Sequence, residues 1–270
     1  MSSTFDQIID GGDDHCSEEL RVPIFSQNHF DQGSLPGKIA AELHAAILVG
    51  EFPGGSQLKI NDLAQKYSTS TMPIREALRQ LSALGIVQLI PHRGAHVLEL
   101  SLEDMRDTME VRTLLEPTAV EQAARKGLSH ETIALATQAL SDMVTHIQSN
   151  NPQASRLAHE KFHFVLYGAA ESPWLLRLIR MAWQNADRYH FAYPLSKSEQ
   201  DLSDNEHRKI LGACLSGDPE TARETMVQHI SRTCSRIEAL LQKAKSESRQ
   251  SSYSVPNLPD DRKVSGTHNT

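Results

Sequence analysis

The spacing of apolar residues changes character near residue 100, and this change constrains the fold more than any other feature of the chain. Upstream, over 35–100, short stretches of helical period give way to two brief β-like runs, Ile86–Ile90 and Ala95–Leu100, joined through Pro91-His92-Arg93-Gly94. Downstream, over 101–245, nearly every stretch has the i, i+3/i+4 period of an amphipathic helix. Breaks fall at Gly127-Leu128-Ser129, Asn150-Asn151-Pro152, Glu171-Ser172-Pro173, Tyr193-Pro194 and Gly217-Asp218-Pro219. These stop and turn signals divide the region into about six helices and no strand. The expected fold is mainly α: a small helical domain with a β wing, then an all-α bundle. Ser101 opens Ser-Leu-Glu-Asp, where Ser101 can cap a helix and Asp104 sits at the reciprocal position. The boundary between domains 33–100 and 101–245 is placed there.

Outside these domains, residues 1–32 lack apolar periodicity and read as a disordered leader. Residues 246–270 are polar, with Ser, Pro and Gly throughout, and read as a disordered tail. Hydrophobic content of 39% supports a core, and no run approaches the length needed to span a membrane. The opening MSSTFDQIIDGGDDHCSEEL is acidic and lacks the basic and apolar regions of a secretory signal. Cys16, Cys214 and Cys234 are far apart without framework spacing, which fits inert thiols in a reducing compartment. A soluble, cytoplasmic protein with no membrane partner is expected. The net charge of −7 argues against a nucleic-acid partner less than it suggests. Residues 1–32 hold seven acids against the single Arg21, whereas 33–100 carry six Lys/Arg against five Asp/Glu. Phosphate contacts need only a locally basic face.

Within 35–100, LPGKIAAELHAAILV reads as a helix with Ile39, Leu43, Ile47 and Leu48 at core spacing. NDLAQKY, 61–67, reads as a short second helix with Leu63 and Ala64 inward. A turn, Ser68-Thr69-Ser70, then leads into a third helix over about 71–84. This helix buries Ile74, Leu78 and Leu81, and tolerates Pro73 in its first turn, where a missing N–H costs little. Arg75 and Arg79 project from one face of its N-terminal half, where a recognition helix meets the major groove and neighbouring phosphates. Gly85 stops the helix, and the two β runs with Arg93-Gly94 at their tip form a wing.

STSTMPIREALRQLSALGIVQLIPHRGAHVLEL resembles the winged helix-turn-helix of the GntR family, particularly its FadR branch. Ser70, Pro73, Arg75, Glu76, Ala77, Leu78, Leu81, Gly85, Arg93, Gly94 and Val97 match the family pattern in order. The resemblance implies a double-stranded DNA operator, with Ser70, Thr71, Pro73, Arg75, Arg79, Arg93 and Gly94 as DNA-binding residues. Thr71 and Asn61 stand where many relatives carry arginine, so the operator sequence does not transfer. Residues 101–240 resemble the FadR-type ligand-binding domain. Val111-Arg112 and Glu116 match its first helix, and the resemblance implies that Arg112 holds a small carboxylate effector, a role suited to a bidentate guanidinium. The residues alone also allow an i,i+4 ion pair between Arg112 and Glu116 on a helix surface. Asn185, Arg188 and Tyr189, on a helix over 173–192, are candidate pocket residues, with Asn185 and Arg188 assigned to the effector. The last helix, 219–245, has an apolar stripe of Ala222, Met226, Ile230, Ile237 and Leu241.

His159 and His163 lie one turn apart, and His207 and His229 follow on later helices, a pattern that can build a metal site inside a bundle. His159-Glu160-Lys161-Phe162-His163 also spells H-E-x-x-H, the helix signature of a zinc hydrolase with Glu as general base. That chemistry pairs the helix with a substrate-binding edge strand, and none is expected nearby. The resemblance instead implies a metal set of His163, His207 and His229, with His159 in place of the family's aspartate. Four neutral histidines leave a divalent ion at +2 and favour zinc or nickel, with manganese as a further candidate; alternatively, His159 turns away and the site uses three histidines and water. The reading is a homodimeric, non-enzymatic DNA-binding regulator, expected to repress. The alternatives are the zinc hydrolase and a helical interaction module without DNA binding.

Overall fold

The computed structural model describes residues 30–31, 33–91, 93–194 and 196–252. Helix α1 (Leu35–Leu48) begins at Ser34, whose Oγ accepts from the Gly37 N–H at 3.2 Å. Its inner face buries Ile39, Leu43 and Ile47. Leu48, expected with them, is half-buried and lines a cavity against the bundle. Two short segments follow, β1 (Gln57–Leu58) and α2 (Ile60–Lys66), then α3 (Thr71–Ala83), β2 (Val87–Ile90) and β3 (Gly94–Val97). Ile74, Leu78 and Leu81 of α3 reach the same core as Leu63 and Ala64 of α2. The strands form one antiparallel sheet in the order β1-β3-β2, with Leu58 opposite Ala95 and Val87 opposite Val97. On β3, Ala95 and Val97 point into the core while Gly94 and His96 alternate away from it. This is the winged helix, with β1 as a strand too short for a period-2 signal.

Six helices follow: α4 (Leu102–Lys126), α5 (His130–Gln148), α6 (Pro152–Gly168), α7 (Pro173–Ala192), α8 (Lys197–Leu215) and α9 (Pro219–Ser252). Helix α4 packs along α9 and α7, α5 along α6, and α8 along α9. The bundle core includes Met105, Val120, Phe162, Leu166, Ile179 and the whole predicted α9 stripe, from Ala222 to Leu241. Ser101 caps α4 as expected, accepting from the Asp104 N–H at 3.0 Å. Asp104 does not complete a capping box. Its Oδ2 accepts from the Tyr189 hydroxyl at 2.5 Å and from Arg188 at 2.9 Å, tying α4 to α7.

Two boundaries differ from those read in the composition. Phe30, assigned to the leader, is buried in the winged-helix core and meets His44 edge-on. Asp31, also in that segment, accepts from the Ser34 N–H at 3.0 Å. The rest of the leader, with Cys16, lies outside the described residues apart from these two. Helix α9 runs to Ser252, not 245. Polar Lys, Glu, Arg and Gln are good helix formers, and the first strong stop signal beyond the helix, Pro256, comes later. The tail beyond 252 lies outside the described residues.

The two domains meet through α7. The Asn185 side chain donates to the Leu84 carbonyl at the end of α3 at 2.9 Å, and Arg188 donates to the Leu98 carbonyl after β3 at 3.2 Å. Gly85 permits this close approach. Its φ of +68° is unfavourable for residues with a Cβ, and a Cβ there would lie 3.0 Å from Asn185 Nδ2.

Candidate DNA-binding surface and histidine centre

Helix α3 presents Arg75 and Arg79 to solvent. Arg75 has no ion-pair partner among the described residues, whereas Arg79 faces Glu76 at 3.3 Å in an exposed pair of little strength. Ser70 occupies the N-cap position with extended backbone, but its side chain makes no cap bond and is exposed. That hydroxyl, with the half-buried Thr71 and Pro73, stands at the solvent edge of the helix N-terminus, where unpaired N–H groups favour phosphate. At the wing, Arg93 and Gly94 are exposed. Gln57 Nε2 donates to the Arg93 carbonyl at 2.8 Å and holds the tip in place, and Gly94 has φ +83°. Of the seven residues predicted to meet DNA, Ser70, Thr71, Pro73 and Arg75 lie at the start of α3, Arg79 one turn further along it, and Arg93 and Gly94 at the tip of the wing.

In the bundle, α6 supplies His159 and His163, α8 His207 and α9 His229. One donor nitrogen from each lies within 4.8 Å of all the others. The His163 and His207 Nε2 atoms approach to 3.1 Å. Metal–nitrogen bonds of about 2.0–2.1 Å separate two ligands by no more than about 4.2 Å, so small side-chain shifts close the set on one ion.

Outer partners fix two of the rings. The His229 Nδ1–H donates to Glu206 Oε2 at 2.8 Å, and Glu206 is itself paired with Arg232. The Tyr167 hydroxyl donates to Glu116 Oε2 at 2.6 Å, so the 2.9 Å contact between Tyr167 and His163 requires Nδ1–H of His163 as donor. Both arrangements leave an Nε2 lone pair facing the cluster, as a metal ligand requires. His207 Nδ1 is buried without a hydrogen-bond partner among the described residues, and its Nε2 faces that of His163. His159 rests 5.4 Å from the Trp183 ring and 4.7 Å from that of His163.

Burial holds the pKa values of His159, His163, His207 and nearby His190 well below the ordinary histidine range, reinforced by neighbouring imidazoles and arginines. Neutral rings are the ligand form. His44 on α1 is likewise lowered to about 4 by burial and by Arg156 and Arg188. Above pH 6.5 these groups are neutral in both folded and unfolded chains. As pH falls below 6.5 the unfolded chain takes up protons that the folded chain refuses, so stability is lost. For His44 alone the loss between pH 6.5 and 4 amounts to about 3 kcal/mol. Chelator-treated protein is therefore expected to unfold at markedly lower denaturant concentration at pH 5 than at pH 7.5, a difference measurable by circular dichroism.

Arg112 makes the ion pair weighed for it. It pairs with Glu116 through Nε–Oε1 at 2.5 Å and Nη2–Oε2 at 3.2 Å, but the pair is buried, not on a helix surface. Burial opposes its charge, and Glu116 outweighs that and raises its pKa. The guanidinium lies 4.6 Å from the Trp183 ring and lines a cavity of about 1040 Å³ together with His159, His207 and His229. Asn185 and Arg188, assigned to the effector by their helix, do not line this cavity. They sit on the side of α7 facing the winged helix, where backbone carbonyls and Asp104 engage them. Glu160 faces Arg180 at 3.7 Å. Every strand among the described residues belongs to the winged-helix sheet, so no strand flanks the H-E-x-x-H helix.

Sequence reasoning missed Tyr167, Glu206, His190 and His44. Tyr167 lies one turn after His163, a detectable spacing, whereas the partners of Glu206 and His44 come from other elements.

Comparison with known proteins agrees with this architecture. Residues 35–97 match the family "Bacterial regulatory proteins, gntR family", and residues 107–232 match the FCD domain. The chain is 28% identical over 229 residues to the uncharacterized HTH-type transcriptional regulator BphR of Paraburkholderia xenovorans, covering 82% of this chain and 90% of that protein. It is 29% identical over 189 residues to the probable D-xylose utilization operon transcriptional repressor of Paenarthrobacter nicotinovorans, covering 68% of this chain and 80% of that one. The fold superposes on E. coli McbR/YncC with a TM-score of 0.65 at 19% identity, over 78% of this chain and 99% of that one.

A winged helix joined to a six-helix bundle, with relatives that are transcription regulators, defines a DNA-binding transcription regulator. The chain belongs to the GntR family, with an FCD domain of the FadR-C-like type at its C-terminal side. Among the described residues no helix is long and apolar enough to cross a membrane.

Proposed function

We propose that the four histidines hold one divalent ion per chain, and that a small carboxylate bound beside it controls operator affinity. The observation that carries this reading is the convergence of four imidazoles, three buried and His159 half-buried, with two of them oriented by outer acceptors. An all-imidazole set favours zinc or nickel over manganese. When bound, the ion supplies positive charge and open positions for effector oxygen atoms. Two nitrogens of Arg112 are committed to Glu116, and Nη1 meets only the weak acceptor Met109 Sδ at 3.6 Å. Nη1, which Glu116 does not engage, is the proposed donor to a carboxylate oxygen, while Glu116 offsets the arginine's charge. Calorimetric titration tests the reading: one zinc ion per chain, and carboxylate binding only after zinc has bound. Equal carboxylate binding to chelator-treated protein would overturn it.

Ser70, Thr71, Pro73, Arg75, Arg79, Arg93 and Gly94 are proposed to contact the operator. Two-fold half-sites call for a homodimer. Exposed Val111 and Leu114 on α4, with Trp174, Leu178 and Met181 on α7, offer an apolar face for a second copy. Repression is the proposed sense, in keeping with the name of the Paenarthrobacter relative.

Helix α7 is the proposed coupling element. Asp187 and His190 line the cavity, while Asn185 and Arg188 hold α3 and the end of the wing. A ligand that moves α7 therefore changes the placement of the recognition helix. Coupling of this kind is a difference in effector affinity between two arrangements. Asn185→Ala is expected to reduce the effector-induced change in operator affinity severalfold while leaving metal stoichiometry intact. Fluorescence anisotropy on labelled operator, with and without effector, reads this directly.

A further inference from the structure

The cavity continues beyond the histidines to the underside of α1, where Ala41, His44 and Leu48 form part of its wall. Polar atoms there remain without partners. His44 Nε2, Arg156 Nε and Asp187 Oδ1 are all buried and make no hydrogen bond to a described residue. His44 is only 9% exposed, and all three residues line the cavity. Arg156 pairs with Asp187 through their other atoms, which leaves one donor and one acceptor unused. Buried polar groups left in this state are costly, so a partner that satisfies them gains affinity.

We propose that this end of the cavity is a second ligand subsite, in which His44, Arg156 and Asp187 receive a hydroxyl group at the far end of the effector. Arg156 Nε requires an acceptor and Asp187 Oδ1 a donor, and His44 Nε2 takes either role according to its tautomer. A hydroxyl meets these demands at once; a methyl or a second carboxylate does not. Met143, Val144 and Ile147 of α5 add apolar wall to the same cavity. The ligand class is then a carboxylate with an apolar middle and a distal hydroxyl. Because His44 belongs to the winged helix and Arg156 and Asp187 to the bundle, such a ligand touches both domains. Its affinity then depends on their relative placement.

The inference rests on the proposal that a carboxylate binds at the histidine end, and one experiment separates the two. Zinc-loaded full-length protein is titrated calorimetrically with ω-hydroxy monocarboxylates of increasing chain length and with the matching unsubstituted acids. At one chain length the terminal hydroxyl is expected to raise affinity about tenfold. His44→Leu reduces that gain to less than about threefold without weakening the unsubstituted acid, and His44→Gln, which keeps a donor and an acceptor, retains most of it. If unsubstituted acids bind but a hydroxyl adds nothing at any length, the subsite is refuted and the carboxylate site stands. A hydroxyl gain that survives His44→Leu also refutes it. If no acid of either series binds, the carboxylate reading falls and the subsite with it. Should His44→Leu fail to fold, the wild-type series still decides, since it must show the length-dependent gain.

Discussion

His163→Ala is expected to lose tight metal binding, with affinity falling by at least about 100-fold. The operator's response to carboxylates should vanish with it. His163 is the centre of the cluster: its Nε2 lies 3.1 Å from His207, and its Nδ1 is anchored through Tyr167 to Glu116. Removing the ring deletes a ligand and also leaves Tyr167 without the N–H it accepts. Some destabilisation, about 1–3 kcal/mol, should accompany the loss of metal. Glu206→Gln provides a graded comparison. It keeps all four imidazoles but weakens the acceptor that orients His229, so metal affinity should fall about 10- to 100-fold. Metal analysis after dialysis and zinc titration measure both variants. Wild-type metal affinity in His163→Ala would contradict the assignment.

Arg75→Ala is expected to abolish specific operator binding at physiological salt while leaving metal binding unchanged. A guanidinium on the major-groove face contributes about 1–3 kcal/mol per site. A two-fold complex loses this twice, on the order of 30- to 10⁴-fold in affinity. Arg79→Ala should cost less, because Glu76 already competes for that guanidinium at 3.3 Å. Anisotropy titrations on an operator selected from random-sequence DNA, repeated over several salt concentrations, distinguish the two variants. Undiminished affinity in Arg75→Ala would place the DNA-binding face elsewhere.

Much of this architecture is legible in residue order because it rests on local rules. Helix α3 begins and ends where Ser70, Pro73 and Gly85 put it, and the α9 stripe from Ala222 to Leu241 reports directly on burial. The histidine set was legible in part for the same reason: His159 and His163 stand one turn apart on α6, whereas the joining of His207 and His229 to them was implied by the family resemblance. What escaped depends on contacts between elements. Asn185 and Arg188 lie on the same helix as Asp187 and His190, yet face the other way, and only packing of α7 against the winged helix decides which side meets the cavity. Whether Arg112 and Glu116 form a surface or a buried pair depends likewise on Trp183 and Tyr167, both distant in sequence. Strand β1 is two residues long and exists because β3 supplies its partner. His44 looked like one more polar residue on an amphipathic helix, until Phe30 and the bundle enclosed it.

The most direct test of the account is an operator titration with zinc-loaded wild-type protein and His163→Ala at fixed salt, across a panel of small carboxylates. At least one carboxylate is predicted to change wild-type operator affinity about 5- to 150-fold, the usual range for coupling between sites, and to leave His163→Ala unmoved. Operator affinity indifferent to every carboxylate and to metal removal would contradict a regulator controlled from its histidine centre.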